Sequence, residues 1–245
     1  MDFTSPWLQG LGLNALLLTI GLVLPRKALT TIGLCHAFGL GVWLWGCLGW
    51  RGYSVMLAYF AMGTAITYVG KEIKEGRGIA EKRSGARGPA NLWGSAAVAA
   101  FCAGGYSLNP HPWWLLGYVA SISTKLSDTM ASEVGKAFGQ TTYLITNLRS
   151  VPPGTEGAVS LEGTTAGIIG SLAIGVVGYL VGLIRAPEDL LICTGAAFVA
   201  TNLESVIGAT LQTRWQWLTN EIVNGINTFL GATIAVGISY LIERF

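Results

Sequence analysis

Long uncharged runs decide what this chain can fold into. Segments free of Asp, Glu, Lys and Arg cover Phe3 to Pro25, Ala28 to Trp50, Gly52 to Gly70, Gly88 to Thr124, Gly163 to Ile184 and Ile222 to Ile242. A membrane-spanning helix needs about 20 mostly apolar residues. The run from Gly88 is too long for one helix and is broken by Asn109-Pro110-His111-Pro112, which cannot continue a helix. A further span, with Glu204 inside it, covers about Leu190 to Leu211. The chain therefore reads as an all-α, polytopic transmembrane helix bundle of about eight spans. They lie near residues 7 to 24, 30 to 50, 53 to 70, 90 to 108, 113 to 132, 163 to 184, 190 to 211 and 221 to 242. Composition agrees: 51% of the residues are hydrophobic and 11% charged, against about 25% charged in soluble proteins, and mean hydropathy is +0.53. Residues 1–245 form a single transmembrane domain, in which residues 1–70 supply three peripheral spans and residues 71–245 the helices and loops expected to carry chemistry.

The basic residues orient the bundle. Arg26, Lys27, Lys71, Lys74, Arg77, Lys82, Arg83, Arg87, Lys125, Lys136, Arg149 and Arg214 fall on alternate connections, leaving Arg51, Arg185 and Arg244 on the other side. Positive charge marks the cytoplasmic side, so both termini are expected on the non-cytoplasmic side. The connections after spans three, five and seven share the cytoplasmic face, and nearly every unusual polar residue lies on or beside them. The net charge of +2 gives no case for nucleic acid, since topology gathers the basic residues.

Several absences narrow the chemistry. Asp2 and no basic residue precede the first apolar segment, unlike a cleaved secretory signal. Cys35, Cys47, Cys102 and Cys193 lie apart within apolar runs and are expected in the core. His36 and His111 are too separate for a metal cluster. No GxGxxG, GxxxxGKS or nucleophile-elbow sequence occurs. Glycine numbers 34, and the pairs Gly163/Gly167 and Gly178/Gly182 have the spacing that lets helices approach closely in lipid.

Ionisable residues beside apolar helices are costly and usually functional. Six acids are so placed: Asp128, Glu133, Glu156, Glu162, Glu204 and Glu221. The stretch Lys82 to Asn91 serves either as a headgroup anchor or as a phosphate clamp, in which Arg87 with Lys82 or Arg83 assists the free N–H groups of a helix starting near Pro89. Asp128 and Ser132 share one helical face, whereas Glu133 lies about 140° from Asp128. Asp128 is therefore the better site candidate, with Glu133 supporting it or pairing with Lys136 or another helix. Pro152 to Gly167 makes a shaped loop in which Ser160 can cap a helix whose first turn holds Glu162. Glu156, Glu162, Thr164 and the glycines suit backbone contacts to phosphate and carboxylates for a divalent ion. Glu204 stands within an apolar helix, and Asn220, Asn224 and Asn227 at helical spacing serve either as glue between helices or as site residues.

These motifs resemble a known family. Lys82 to Asn91, SDTMASEVG from Ser127, GTEGAVSLEGT from Gly154, ESVIGATLQ from Glu204 and NEIVNGINT from Asn220 look like the successive motifs of the integral-membrane phytyl-phosphate kinase family of plants, cyanobacteria and related microbes. The resemblance runs from about residue 70 to the C-terminus. It implies phosphoryl transfer from CTP, or another nucleoside triphosphate, to phytyl monophosphate, for tocopherol and phylloquinone synthesis. It also implies distant kinship with CTP-dependent prenol kinases and cytidylyltransferases, and a bacterial plasma, thylakoid or plastid membrane with the site facing cytoplasm or stroma. Carried over, the motifs place Arg87, Asp128, Glu133, Ser160, Gly163, Thr164, Glu204, Asn220 and Asn224 at the site. Many relatives have Asp where this chain has Glu204 and lack an acid at Glu162.

The chemistry accommodates that assignment. Phosphoryl transfer needs in-line placement and charge neutralisation, and Mg²⁺ takes a few carboxylates plus phosphate oxygens. Asp128 and Glu204 are the expected metal ligands, with Glu221, Glu156 or Glu162 completing the shell. Lys82, Arg83, Arg87 and Lys136 are expected on phosphates, with Asn91, Asn220 and Asn224 lining the nucleotide site and the Ser160 to Thr164 backbone as a cradle. The expected partners are a prenyl phosphate lipid, a nucleotide and membrane lipid. Two rivals share these features: a lipid cytidylyltransferase, and a secondary transporter of an anionic solute.

Overall fold

The computed structural model describes residues 5–24, 28–80 and 86–243. Lys82, Arg83, Arg26, Lys27 and Arg244 lie outside these. Helices dominate: α1 (Pro6–Val23), α2 (Thr31–Tyr68), α3 (Lys71–Gly76), α4 (Pro89–Leu108), α5 (Pro112–Phe138), α6 (Leu161–Leu180), α7 (Pro187–Ile207) and α8 (Asn220–Glu243), with a π-helical turn over Gly208–Gln212. Proline begins α1, α4, α5 and α7, where its missing N–H costs nothing. Thr30 caps α2 by accepting from the Gly33 amide at 3.0 Å.

α2 holds two of the expected spans. Gly49 interrupts it with φ 62° and ψ −159°, a region open to glycine, and the halves fold back on each other. Asn14 of α1 packs on Gly41 in the first half while accepting 2.7 Å from the Tyr53 hydroxyl in the second. The Trp45 and Tyr53 rings meet at 5.3 Å, which a continuous helix would forbid. The eight expected spans are thus α1, the two halves of α2, α4, α5, α6, α7 and α8.

α5 is the central post. Every residue from Leu116 to Ser127 is buried, because α2, α4, α6, α7 and α8 all pack on it. A helix covered on all sides need not face lipid, so it can carry Ser121, Ser123, Thr124 and Lys125 in its interior stretch. By length and composition alone, five helices qualify as membrane spans: α1, α2, α6, α7 with its π turn, and α8. α4, rich in alanine, and α5, with four charges, are not among them.

Small residues set the helix spacing. Gly163 and Gly167 of α6 lie against the Ala131 and Ser127 carbonyls of α5, and Gly231 of α8 against Thr124. Gly178 packs on Val119, but Gly182 lies beyond the end of α6 with φ 74°. It therefore closes the helix, and the Leu183 amide returns to the Gly178 carbonyl at 2.9 Å. Cys102 and Cys193 are buried as expected, whereas Cys35 is exposed on the outer face of α2.

The connection from α5 to α6 contains the only strands among the described residues. β1 (Tyr143–Leu144) pairs antiparallel with β2 (Ala158–Val159). Gly154 and Gly157 have φ 87° and 75°, which turns the chain after Pro152 and Pro153.

Candidate functional site

One cavity of about 690 Å³ opens where α2, α4, α5, α6, α7 and α8 meet, within the ~300–1,000 Å³ typical of ligand sites. The helix ends that line it adjoin the connections between α2 and α4, α5 and α6, and α7 and α8. Its wall includes Arg87, Asn91, Asp128, Glu133, Lys136, Glu156, Ser160, Gly163, Thr164, Glu204, Asn220, Glu221 and Asn224. Motifs far apart in the chain are therefore neighbours in space. Glu162 is not in that wall; its carboxylate accepts from the Gln140 amide at 3.3 Å, which ties the α6 terminus to the preceding loop. Lys82 and Arg83 fall outside the described residues.

Lys125 sits at the centre of the polar network. Its ammonium donates to Asp128 at 2.5 Å and to the Asn224 amide oxygen at 2.6 Å. Asp128 and Glu204 lie within hydrogen-bonding reach of one another, with Glu156 close enough to act on Glu204. Glu204 also accepts from the Asn227 amide. Two carboxylates, one ammonium and two amides from α5, α7 and α8 thus form one cluster. Lys125 stands inside α5, which runs on to Phe138, so it belongs to the site and not to a connection.

Glu133 serves another purpose. It forms a buried ion pair with Lys74 of α3, and Lys74 also donates to the Thr67 carbonyl at 2.9 Å. The expected partner on another helix is therefore Lys74 of α3. The pair pins α3 beneath α5, and Arg77 adds a 2.7 Å bond to the Lys136 carbonyl.

Three local devices shape the rest. Ser160 caps α6 by accepting from the Gly163 amide at 3.0 Å. Gly157 rests on the Ser205 carbonyl and Ala209, where a side chain would hold the loop off, and this docking brings Glu156 to the end of α7. The π turn after α7, a feature frequent at functional sites, aims Gln212 at Asn220, to which it donates.

Arg87 is fixed by its backbone and its side chain. Its amide donates to the Ala28 carbonyl at 2.9 Å, and its own carbonyl accepts from the Thr30 amide at 3.0 Å. The guanidinium lies 5.5 Å over the Tyr59 ring, in space left by Gly63. Among the described residues no carboxylate pairs with it.

The sequence pattern does not single out Lys125, Lys74, Tyr59 or Gln212 for the site. Lys125 alone among them carries a signal, a lysine within a span and three residues before an acid, but it also reads as one of the topology-marking basic residues.

The donor set can be tested against a divalent ion. Among the described residues no group of three or more His, Cys, Asp or Glu side chains is spaced to hold a metal unaided. The facing pair Asp128 and Glu204 suits Mg²⁺, which usually binds one or two carboxylates and completes its shell with water and substrate phosphates. Thr201, on the same wall, has a buried hydroxyl with no partner among the described residues.

The sequence pattern of one family matches residues 14–232. The chain belongs to the integral membrane protein family DUF92. This DUF92 protein is 42% identical over 239 residues to Protein VTE6, chloroplastic, of Arabidopsis thaliana, covering 94% of its own length and 71% of the relative's. It is 62% identical over 236 residues to an uncharacterized membrane protein of Synechocystis sp., covering 95% and 91% of the two chains. A membrane protein of Methanocaldococcus jannaschii is 34% identical over 190 residues, covering 77% and 76%. No solved structure matches the chain.

Proposed function

We propose that this protein is a membrane kinase that phosphorylates a prenyl monophosphate, with phytyl phosphate as acceptor and CTP as donor. One observation carries the reading: acids of α5 and α7 face each other beside Lys125, in a cavity whose rim holds Arg87. The ordered motifs, which resemble those of the phytyl-phosphate kinase family, support the same assignment.

Charge argues for a metal-bound triphosphate. With Glu133 neutralised by Lys74, Asp128, Glu156, Glu204 and Glu221 line the cavity against Arg87, Lys125 and Lys136, so the wall carries no excess of positive charge to bind a bare polyanion. Bound between Asp128 and Glu204, Mg²⁺ would neutralise charge on the transferred group. Asn224 and Asn227 hold Lys125 and Glu204 in place. Lys125 offers its proton to a phosphate oxygen, and Arg87 holds the acceptor's phosphate.

An oxygen of the acceptor phosphate attacks the γ-phosphorus, the bond to the β–γ bridging oxygen breaks, and prenyl diphosphate and a nucleoside diphosphate leave. The nucleophile is already ionised, so no strong general base is required, and positioning supplies most of the acceleration. The reading puts the site on the cytoplasmic or stromal side, with both termini opposite, and the positive charge of the connections supports that orientation.

The test uses purified protein in nanodiscs with Mg²⁺, labelled CTP and phytyl phosphate. CDP together with phytyl diphosphate supports the kinase. Pyrophosphate identifies a cytidylyltransferase, and absence of turnover with solute uptake in vesicles identifies a transporter.

A further inference from the structure

A second void, of about 330 Å³, lies between α1, α2 and α4. Leu17, Leu34, Leu40, Leu57, Phe60 and Ala96 make it almost wholly apolar. At its deep end the Tyr53 hydroxyl donates to Asn14 at 2.7 Å, while the Asn14 amide donates to the Gly10 carbonyl at 2.9 Å. Both polar groups are satisfied, so that end presents nothing unpaired to a hydrocarbon. At the shallow end stand Tyr59, Arg87 and Asn91, which also line the polar cavity. The two spaces therefore share a wall, and the Arg87 guanidinium, with no carboxylate partner among the described residues, marks their junction.

We propose that this slot seats the hydrocarbon tail of the lipid monophosphate acceptor, with its phosphate held at Arg87. The acceptor's identity rests on the kinase reading above. Leu17 and Leu57 are 38% and 44% exposed, which opens the slot sideways to the bilayer, so the lipid enters without leaving the membrane. From Leu24 down to Asn14 the slot follows ten residues of α1, about 15 Å at the helical rise. Lipid tails are as apolar as the slot, so burial from water contributes little to binding. The slot acts by orientation: a tail lying along α1 aims its phosphate past Arg87 toward Asp128. Spans one to three thereby gain a role as the acceptor subsite.

Photocrosslinking in nanodiscs without nucleotide tests this directly. The probe is a twenty-carbon prenyl monophosphate with a diazirine near the far end of its tail, and the full chain is mapped by peptide mass spectrometry. Label on α1 or α2 around Leu17 and Leu40 is expected. Label confined to α6, α7 or α8, or no more label than the matching prenyl alcohol gives, overturns the proposal. A second measurement uses Ala37→Phe, which fills the slot away from Arg87. It should lower the ratio of kcat/KM for a twenty-carbon acceptor to that for a five-carbon acceptor about tenfold, and an unchanged ratio also overturns the assignment. Slot labelling without nucleotide-dependent product supports the tail site while removing the kinase reading.

Discussion

Lys125 illustrates how one buried charge organises chemistry in an apolar bundle. It is 6% exposed, and a cation there persists only if it is paired. Asp128 and Asn224 supply that pairing. Glu204 and Asn224 remain beside Lys125 without the Asp128 charge, so Asp128→Asn should lower turnover roughly 10²-fold or more while the protein still inserts and elutes as the wild type on gel filtration; near-normal rates would remove Asp128 from the site. The Lys74–Glu133 pair predicts a different outcome. Glu133→Gln leaves a buried ammonium unpaired and should cost about 3–5 kcal/mol of stability, read as a lower thermal midpoint in detergent. Replacing both, Lys74→Met with Glu133→Leu, should restore most of that loss, because an apolar pair needs no compensation. A double variant as unstable as the single would mean that the bond to Thr67, and not the ion pair, holds α3.

Among the elements, α5 and α6 share the most extensive interface. Gly163 approaches the Ala131 carbonyl so closely that an added Cβ would lie 2.6 Å from it, and backbone cannot yield as a side chain can. Gly163→Ala should therefore push the helices apart at a cost of about 1–3 kcal/mol, lowering the thermal midpoint and turnover together; an unchanged midpoint would show that the helices can separate without loss. The spans are legible in the sequence because lipid requires each crossing segment to satisfy its own backbone and remain mostly uncharged. The glycine and acid motifs around Gly154, Glu204 and Asn220 are legible because polar residues beside such helices have few other uses. The partners of those residues are not. Lys74 looks like any topology-marking lysine, and only the fold of α3 under α5 brings it to Glu133. Arg51 marks the break between the second and third spans, but nothing local announces that Gly49, and not Gly52, makes the turn. Tyr59 lies in a span that had no assigned chemistry, and Arg87 reaches it through a parallel bridge between Leu29 and Arg87.

At the scale of the molecule, polar residues gather at one end of the bundle. The opposite ends are joined by the Gly49 turn, by Asn109 to His111 and by Val181 to Ala186, all of them short. If the basic face is cytoplasmic, Thr155→Cys should react with an impermeant maleimide only from that face. His111→Cys should react only from the other, with Cys35 and Cys47 replaced by serine in both proteins. The reverse pattern would invert the orientation while leaving the site intact. The tight turn at Gly49 has its own consequence. With the described connections at that end so short, a kinase of the proposed kind would exchange its reactants and products with a single compartment and with the bilayer, and no charged group would need to cross. Flux through such a protein would be indifferent to transmembrane voltage and to ion gradients, set only by lipid supply and by the nucleotide ratio on one side.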